Sequence, residues 1–400
     1  MKNIKNIIIY GIILLLCVAA FGGYLLNRRS TGTAASGTAI QSTAGTTAGN
    51  SSGSAAADGS GTGTAGSPDN PVKASDEIEV SARIITDAGS IINKSEEEKQ
   101  KHIKLVMSRE TEKLDPNPVV GVGRGEDFAL ATSEAVKNAG GLENIIRKGD
   151  VVLIKPNLCV QAEQAGSPMI TDYRVVQEVI NIAAECGASK IVVAEGNFAS
   201  NAFENKGNGY VALKGAVLYN FNDCVEKDCY ELTPEKSLVG KAIYVPKLYM
   251  DADVVINVAK LKTHFITGVS LGLKNCIGVP SYRIYGGSSS KDGLHALGIE
   301  QVIIDLNKIR KPEFTIIDGI IGGEDFGPYA NTPVKSNVVF AGKDIVAVDA
   351  AALSFMGFKP DQISHVRSAA EEKLGIADLD KIKVNGADLA AISMKFKPAY

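Results

Sequence analysis

From Val119 onward, short β-branched runs alternate with segments of helical periodicity, and this alternation restricts the fold more than any other feature of the chain. Val151-Val152-Leu153-Ile154 reads as a buried strand, because no polar face interrupts it. The next stretch places Val175, Val176, Val179, Ile180 and Ala183 on one side of a helix, with Thr171 as its expected N-cap and Gly187 just past its end. Ile191-Val192-Val193-Ala194 then closes a βαβ unit. Ala242–Val245, Val254–Val258, Phe314–Ile317, Asn337–Phe340 and Lys381–Val384 are further strand candidates. Helices are expected around Ile299–Leu306 and from Asp344 to Met356. Such an order predicts an α/β fold: a mainly parallel sheet covered by helices on both faces. Ligands of such sheets sit beyond the carboxyl ends of the strands.

A different kind of sequence comes first. Ile7–Leu26 contains no charged residue and is long enough, at about 1.5 Å per helical residue, to cross a hydrocarbon core about 30 Å thick. We expect one transmembrane anchor in residues 1–29; a cleaved signal peptide is the rival, but its apolar core would be shorter. Ser30–Asn70 is built almost entirely of Gly, Ser, Thr and Ala, which cannot bury enough apolar surface to offset chain entropy. Residues 30–75 are therefore expected to be a disordered linker reaching about 35 Å. Residues 76–117 form a polar, helix-prone lead-in that ends at the Pro116–Pro118 break and either packs on the body or stays mobile. The folded domain is expected from residue 118 to 400. Anchor and tether together imply a single-pass cell-membrane protein with an extracytoplasmic body.

The formal net charge is −3. Because the leader up to Ser75 is net basic, the remainder is more acidic still, which argues against a nucleic-acid partner. An anionic ligand would have to be held by a few local lysines. Beyond the anchor, only Cys224 and Cys229 are close enough in sequence to invite a local disulfide; for the rest, small buried thiols are about as good a reading. No histidine pair has metal-ligand spacing, and there is no Cys-x-x-Cys, P-loop or Gly-x-Ser-x-Gly elbow. Gly121-Val122-Gly123-Arg124-Gly125 also fails the dinucleotide fingerprint.

Polar residues follow the apolar runs. Lys155-Pro156-Asn157 follows the first strand of the βαβ unit, Glu195-Gly196-Asn197 the second, and Lys260-Leu261-Lys262-Thr263-His264 follows Val254–Val258. Asp318 follows Phe314–Ile317 and opens the run Asp318–Pro328, which reads as a glycine-rich loop offering Glu324 or Asp325 as acid, base or metal ligand. Lys260, Lys262 and His264 alternate, so a continued strand puts them on one face. Two ammonium groups beside an imidazole suit an anionic substrate and keep the ring neutral and able to accept a proton. The bland alternative is a wetted basic strand end. Lys274 and Asn275 lie in an otherwise apolar run, where a charge needs a partner: either Lys274 pairs with a carboxylate such as Asp318, or it faces the ligand. Asp349 sits in the apolar Ile345–Leu353 run, where it must be hydrogen-bonded and can support one of the lysines. His295 and His365 fall on helix patterns and read as surface or packing residues.

The motifs Val151–Asn157, Thr171-Asp172, Val193–Gly196, Asp253–His264, Leu273–Gly278, Asp318–Pro328 and Ala341–Gly357, taken in order, resemble the DUF362 family of uncharacterised proteins. The resemblance runs from about Val119 to about Gly386. It implies a fold and a shared motif set but no agreed reaction. Many members add a ferredoxin-like segment with closely spaced cysteines; this chain has none, so an iron–sulfur cluster is not implied and no other cofactor is specified. Matched residue by residue, the family motifs point to Lys155, Asn157, Lys260, Lys262, His264, Lys274, Asn275, Asp318 and Glu324. The expected function is a membrane-anchored enzyme for a small anionic substrate, with Lys155, Lys262, His264 and Glu324 catalytic and Asn157, Lys260, Lys274, Asn275 and Asp318 binding. A tethered binding protein without catalysis and a redox protein are the alternatives.

Overall fold

The computed structural model describes residues 82–108, 113–159, 163–198, 201–287, 291–328 and 330–399. They belong to one compact unit, Glu79–Tyr400. The expected anchor and the Ser30–Asn70 linker lie outside the described residues. Among the described residues, no helix is long and apolar enough to cross a membrane.

A ten-stranded sheet organises them. Its strands are β1 (Arg83–Ile85), β2 (Val119–Arg124), β3 (Val151–Pro156), β4 (Lys190–Glu195), β5 (Val217–Asn220), β8 (Val254–His264), β9 (Gly268–Ser270), β10 (Phe314–Phe326), β11 (Ala330–Gly342) and β12 (Lys383–Asn385). The order is β1-β5-β4-β3-β8-β10-β11-β2-β12, with β9 folded back on β8. From β1 to β10 every neighbouring pair along this path is parallel; β11 runs antiparallel to both β10 and β2, which makes the sheet mixed. The expected Ala242–Val245 strand forms, as β7 (Ile243–Pro246), but it pairs antiparallel with β6 (Cys229–Leu232) in a separate ribbon.

Helices cover both faces. Helix α1 (Glu96–Ser108) contributes Ile103 and Val106 to one core cluster, and β1 pairs with β5, so the chain ahead of the Pro116–Pro118 break forms part of the body. Helices α2 (Phe128–Asn138) and α3 (Tyr173–Glu185) pack on the opposite face. The apolar stripe of α3 is the expected one, and burying its Val and Ile side chains stabilises by roughly 1.5–3 kcal/mol each. Its N-cap is Asp172 rather than Thr171: Asp172 accepts from Arg174 N, while Thr171 Oγ1 donates to Val258 O and accepts from Asn157 N. Helix α4 (Ile299–Ile309) and the almost wholly buried α5 (Ile345–Phe355) complete the side of α1, with Asp344 capping α5.

The two glycine-rich runs serve packing. A Cβ on Gly121 or Gly123 would stand 2.1 Å from Ala135 O or 1.9 Å from Ala131 O, so glycine is what lets α2 lie directly on β2. The run from Asp318 to Phe326 is strand, not the loop expected from its glycines, because β11 pairs with it through Phe326. A Cβ at Gly319 would meet Leu261 and Val338.

Candidate functional site

The parallel strands β3, β4, β8 and β10 end side by side, and their carboxyl ends carry the polar residues read from the sequence. All eleven residues of β8 are buried, including Lys260, Lys262 and His264. The register puts Asp318 of β10 beside Lys260, and their side chains pair at 2.8 Å with both fully buried. Asp318 also accepts from Asp172 N and Ile320 N. This pair joins β8, β10 and the start of α3; it is a structural tie rather than a ligand contact, so Lys274 does not find its partner in Asp318.

Next to it lies a cavity of about 50 Å³ lined by Asn157, Lys262, His264, Lys274 and Asn275, five of the nine expected residues. Lys155 stands behind that lining, where Nζ lies 2.9 Å from each oxygen of Glu195 and 3.4 Å from Asn275 Oδ1. Glu195 further accepts from Leu158 N and Gly196 N, which fixes both oxygens. The Asn275 carboxamide is the hub. Its oxygen accepts from Asn157 Nδ2 at 2.9 Å, and its nitrogen donates to Asn257 Oδ1 at 2.7 Å. The turn that carries Lys274 and Asn275 begins at Gly272, whose N–H donates to Asp349 at 2.7 Å, with Leu273 N donating to the other oxygen. Asp349 thus supports the site through the backbone, and burial pushes its carboxyl up to about 7.

Three lysines in the lining have no carboxylate among their hydrogen-bond partners. Lys262 Nζ donates to Asn157 Oδ1 at 3.1 Å, to Cys159 Sγ at 3.0 Å and to Met169 O. Lys291 Nζ donates to the carbonyls of Gly196, Ile277 and Gly278. The Lys274 ammonium makes no hydrogen bond or ion pair among the described residues. Burial, with neighbouring ammonium groups adding to it, brings Lys274 down to about 8 and Lys291 down to about 7. The cavity is short of negative charge.

His264 sits among these cations, and burial first, then Lys274 and Lys262, hold it well below the usual histidine range, so the ring is neutral. Its Nδ1 accepts from Ile266 N at 3.1 Å, which leaves the proton on Nε2. The ring therefore offers a hydrogen bond; the sequence reading had it accept a proton.

Glu324 does not join the site. Its carboxylate accepts from Lys397 N at 2.9 Å and lies 3.4 Å from Lys397 Nζ, away from the cavity lining. The carboxylate at the cavity is Glu195, present in the sequence as a strand-end residue. Lys291, His295 and Cys159 also line it. Lys291 carries no signal in the sequence, and His295, which reads there as a surface or packing residue, lines the cavity instead. Cys224 and Cys229 are free thiols, both buried. A larger groove, about 590 Å³, opens at the opposite edge of the sheet near Asp150, Asp253 and Glu313, before the strands begin. The convergent buried polar groups are at the other edge.

Comparison with known proteins agrees with the motif reading. A family model described as a domain of unknown function (DUF362) matches residues 152–354, which contain every residue of the cavity lining named above. A curated thylakoid-associated protein of Synechocystis sp. is 28% identical over 243 residues, 59% of this chain and 72% of that protein. Among solved structures, the lactate racemase apoprotein from Thermoanaerobacterium thermosaccharolyticum is similar at 16% identity with a TM-score of 0.38. A Thermotoga maritima protein is similar at 14% identity with a TM-score of 0.33. The matches cover 58% and 52% of this chain, and the chain spans only 56% and 54% of those two structures. By the extent of the family match, which takes in half of its length and the whole strand-end site, the chain belongs to the DUF362 family.

Proposed function

We propose that the cavity binds a small anion bearing a carbonyl or carboxylate group, and that the protein is an enzyme that polarises this ligand. The observation that carries the reading is the set of three ammonium groups, Lys262, Lys274 and Lys291, whose hydrogen-bond partners are all neutral or, for Lys274, absent among the described residues. A bound anion would supply the missing charge. Lys274 is the group free to meet it. The His264 Nε2–H is a neutral donor suited to an oxygen on which negative charge develops. Asn157 accepts from Lys262 and Asn275 from Lys155, and the two carboxamides are further bonded to each other and to Asn257. Catalysis in this reading is electrostatic stabilisation by Lys274 and His264, with Lys155 and Glu195 shaping the wall behind them.

The same proposal keeps the body tethered to a membrane through Ile7–Leu26 and outside the cytoplasm. The relative's name, thylakoid-associated, supports membrane proximity for that protein. Protease treatment of intact cells tests the side: cleavage within Ser30–Asn70 is expected, and a protected linker contradicts it.

Calorimetric titration of the protein with acetate, glyoxylate and inorganic phosphate at pH 7 tests the cavity. Saturable binding of at least one anion, abolished in Lys274→Met, is expected. Absence of binding by all three, or equal binding by the variant, would overturn the reading.

A further inference from the structure

Cys159 follows β3 by three residues and lies in the same cavity, partly exposed, with Sγ accepting from the buried Lys262 ammonium at 3.0 Å. Cys224, Cys229 and Cys276 are buried, and Cys186 is the C-cap residue of α3, so Cys159 is the thiol that meets this cavity among the described residues. The thiolate is the nucleophilic form of cysteine, and the Lys262 ammonium stands where it would face the charge of one, while Sγ also lies 3.8 Å from Met169 O. A second, separate observation points to a ligand at the same place. The Lys274 ammonium lines the same cavity as Cys159 without a hydrogen-bond or ion-pair partner among the described residues.

We propose that Cys159 is the nucleophile of the site, adding reversibly to the carbonyl carbon of a small aldehyde or ketone that carries a carboxylate. This rests on the anion-binding reading and specifies its substrate class. The step balances without any further reactant. The thiol proton leaves to solvent as the thiolate forms beside Lys262. The sulfur lone pair then makes the C–S bond while the carbonyl π pair moves to oxygen. The oxygen takes a proton from the Lys274 ammonium, which regains one from solvent, and His264 Nε2–H donates a hydrogen bond to the same oxygen. The product is a hemithioacetal or hemithioketal, with no leaving group and no change of oxidation state.

The full chain is treated separately with iodoacetate and iodoacetamide, and alkylation of Cys159 and Cys186 is followed by peptide mass spectrometry. We expect Cys159 to react about tenfold faster than Cys186, as an activated thiol should. It should also prefer anionic iodoacetate over neutral iodoacetamide, and that preference should disappear in Lys274→Met. Glyoxylate should slow labelling of Cys159 and leave Cys186 unaffected. Labelling of Cys159 no faster than Cys186 with both reagents overturns the nucleophile, as does fast labelling that glyoxylate fails to slow. Fast labelling slowed by glyoxylate but without preference for iodoacetate supports the nucleophile and contradicts the anion cavity. The two readings thus fail separately.

Discussion

Lys155 Nζ lies 2.9 Å from both carboxylate oxygens of Glu195, and the pair is nearly fully buried at the ends of adjacent parallel strands. A buried pair of this kind is weak evidence for net stabilisation, but breaking it leaves an uncompensated charge. Glu195→Gln is therefore expected to destabilise the fold by about 3–5 kcal/mol, measured by urea unfolding. A loss under about 1 kcal/mol would mean that the pair is solvated in solution.

Gly278 closes over this pair. A Cβ there would stand 2.1 Å from Glu195 Oε1 and 2.6 Å from Lys155 Nζ, so even alanine must displace the ion pair. Gly278→Ala should cost about 1–3 kcal/mol, as overpacking does, and weaken anion binding as well. Unchanged melting and unchanged affinity would contradict the geometry.

The neutral His264 makes stability depend on acid. Its folded pKa lies well below 6.5, so below pH 6.5 the unfolded chain binds a proton that the folded protein refuses. Its contribution is complete above pH 6.5 and is lost as the pH falls toward the folded value, at up to about 1.4 kcal/mol per pH unit. Denaturation between pH 7.5 and 5 should show a shallower decline in His264→Gln than in the parent chain. Equal slopes would show that the ring ionises freely.

Glu324 offers a control. Since its carboxylate serves Lys397 at the far end of β10, Glu324→Gln should leave anion affinity within about twofold, the range of an ordinary surface change. A loss of binding tenfold or greater would restore Glu324 to the site.

The contrast between Glu324 and Lys291 shows what could be read before the structure. Lys155, Asn157, Lys262 and His264 were legible because the parallel-sheet rule sends polar residues that directly follow apolar runs to one edge, and Lys274 and Asn275 because a charge inside an apolar run needs a partner. Glu324 followed from treating Asp318–Pro328 as a loop. The strand in fact continues because β11 pairs with it, and pairing across the sheet leaves no signal in a glycine-rich run. Lys291 sits beyond any periodic segment, so nothing local distinguished it from a solvated lysine. Its three carbonyl acceptors come from Gly196, 95 residues away, and from Ile277 and Gly278, 14 and 13 residues away with no helical or strand period linking them to it. The parallel βαβ core was readable from period and length. The three-residue β1 and the four-residue β5 are too short to show a period, and β7 has a strand's composition without any sign of the ribbon it joins.

The Lys274 ammonium, without a partner among the described residues, is proposed to receive an anion, and the pH dependence of glyoxylate affinity tests this most directly. Lys274 titrates at about 8, so calorimetry should find constant affinity contributed by this group well below that pH and a decline of about tenfold per unit above it. Near pH 8, binding should take up protons, visible as a heat that changes with the ionisation enthalpy of the buffer. Affinity that stays level to pH 10 with no proton uptake, or a Lys274→Met chain that binds glyoxylate as the parent does, would contradict the account.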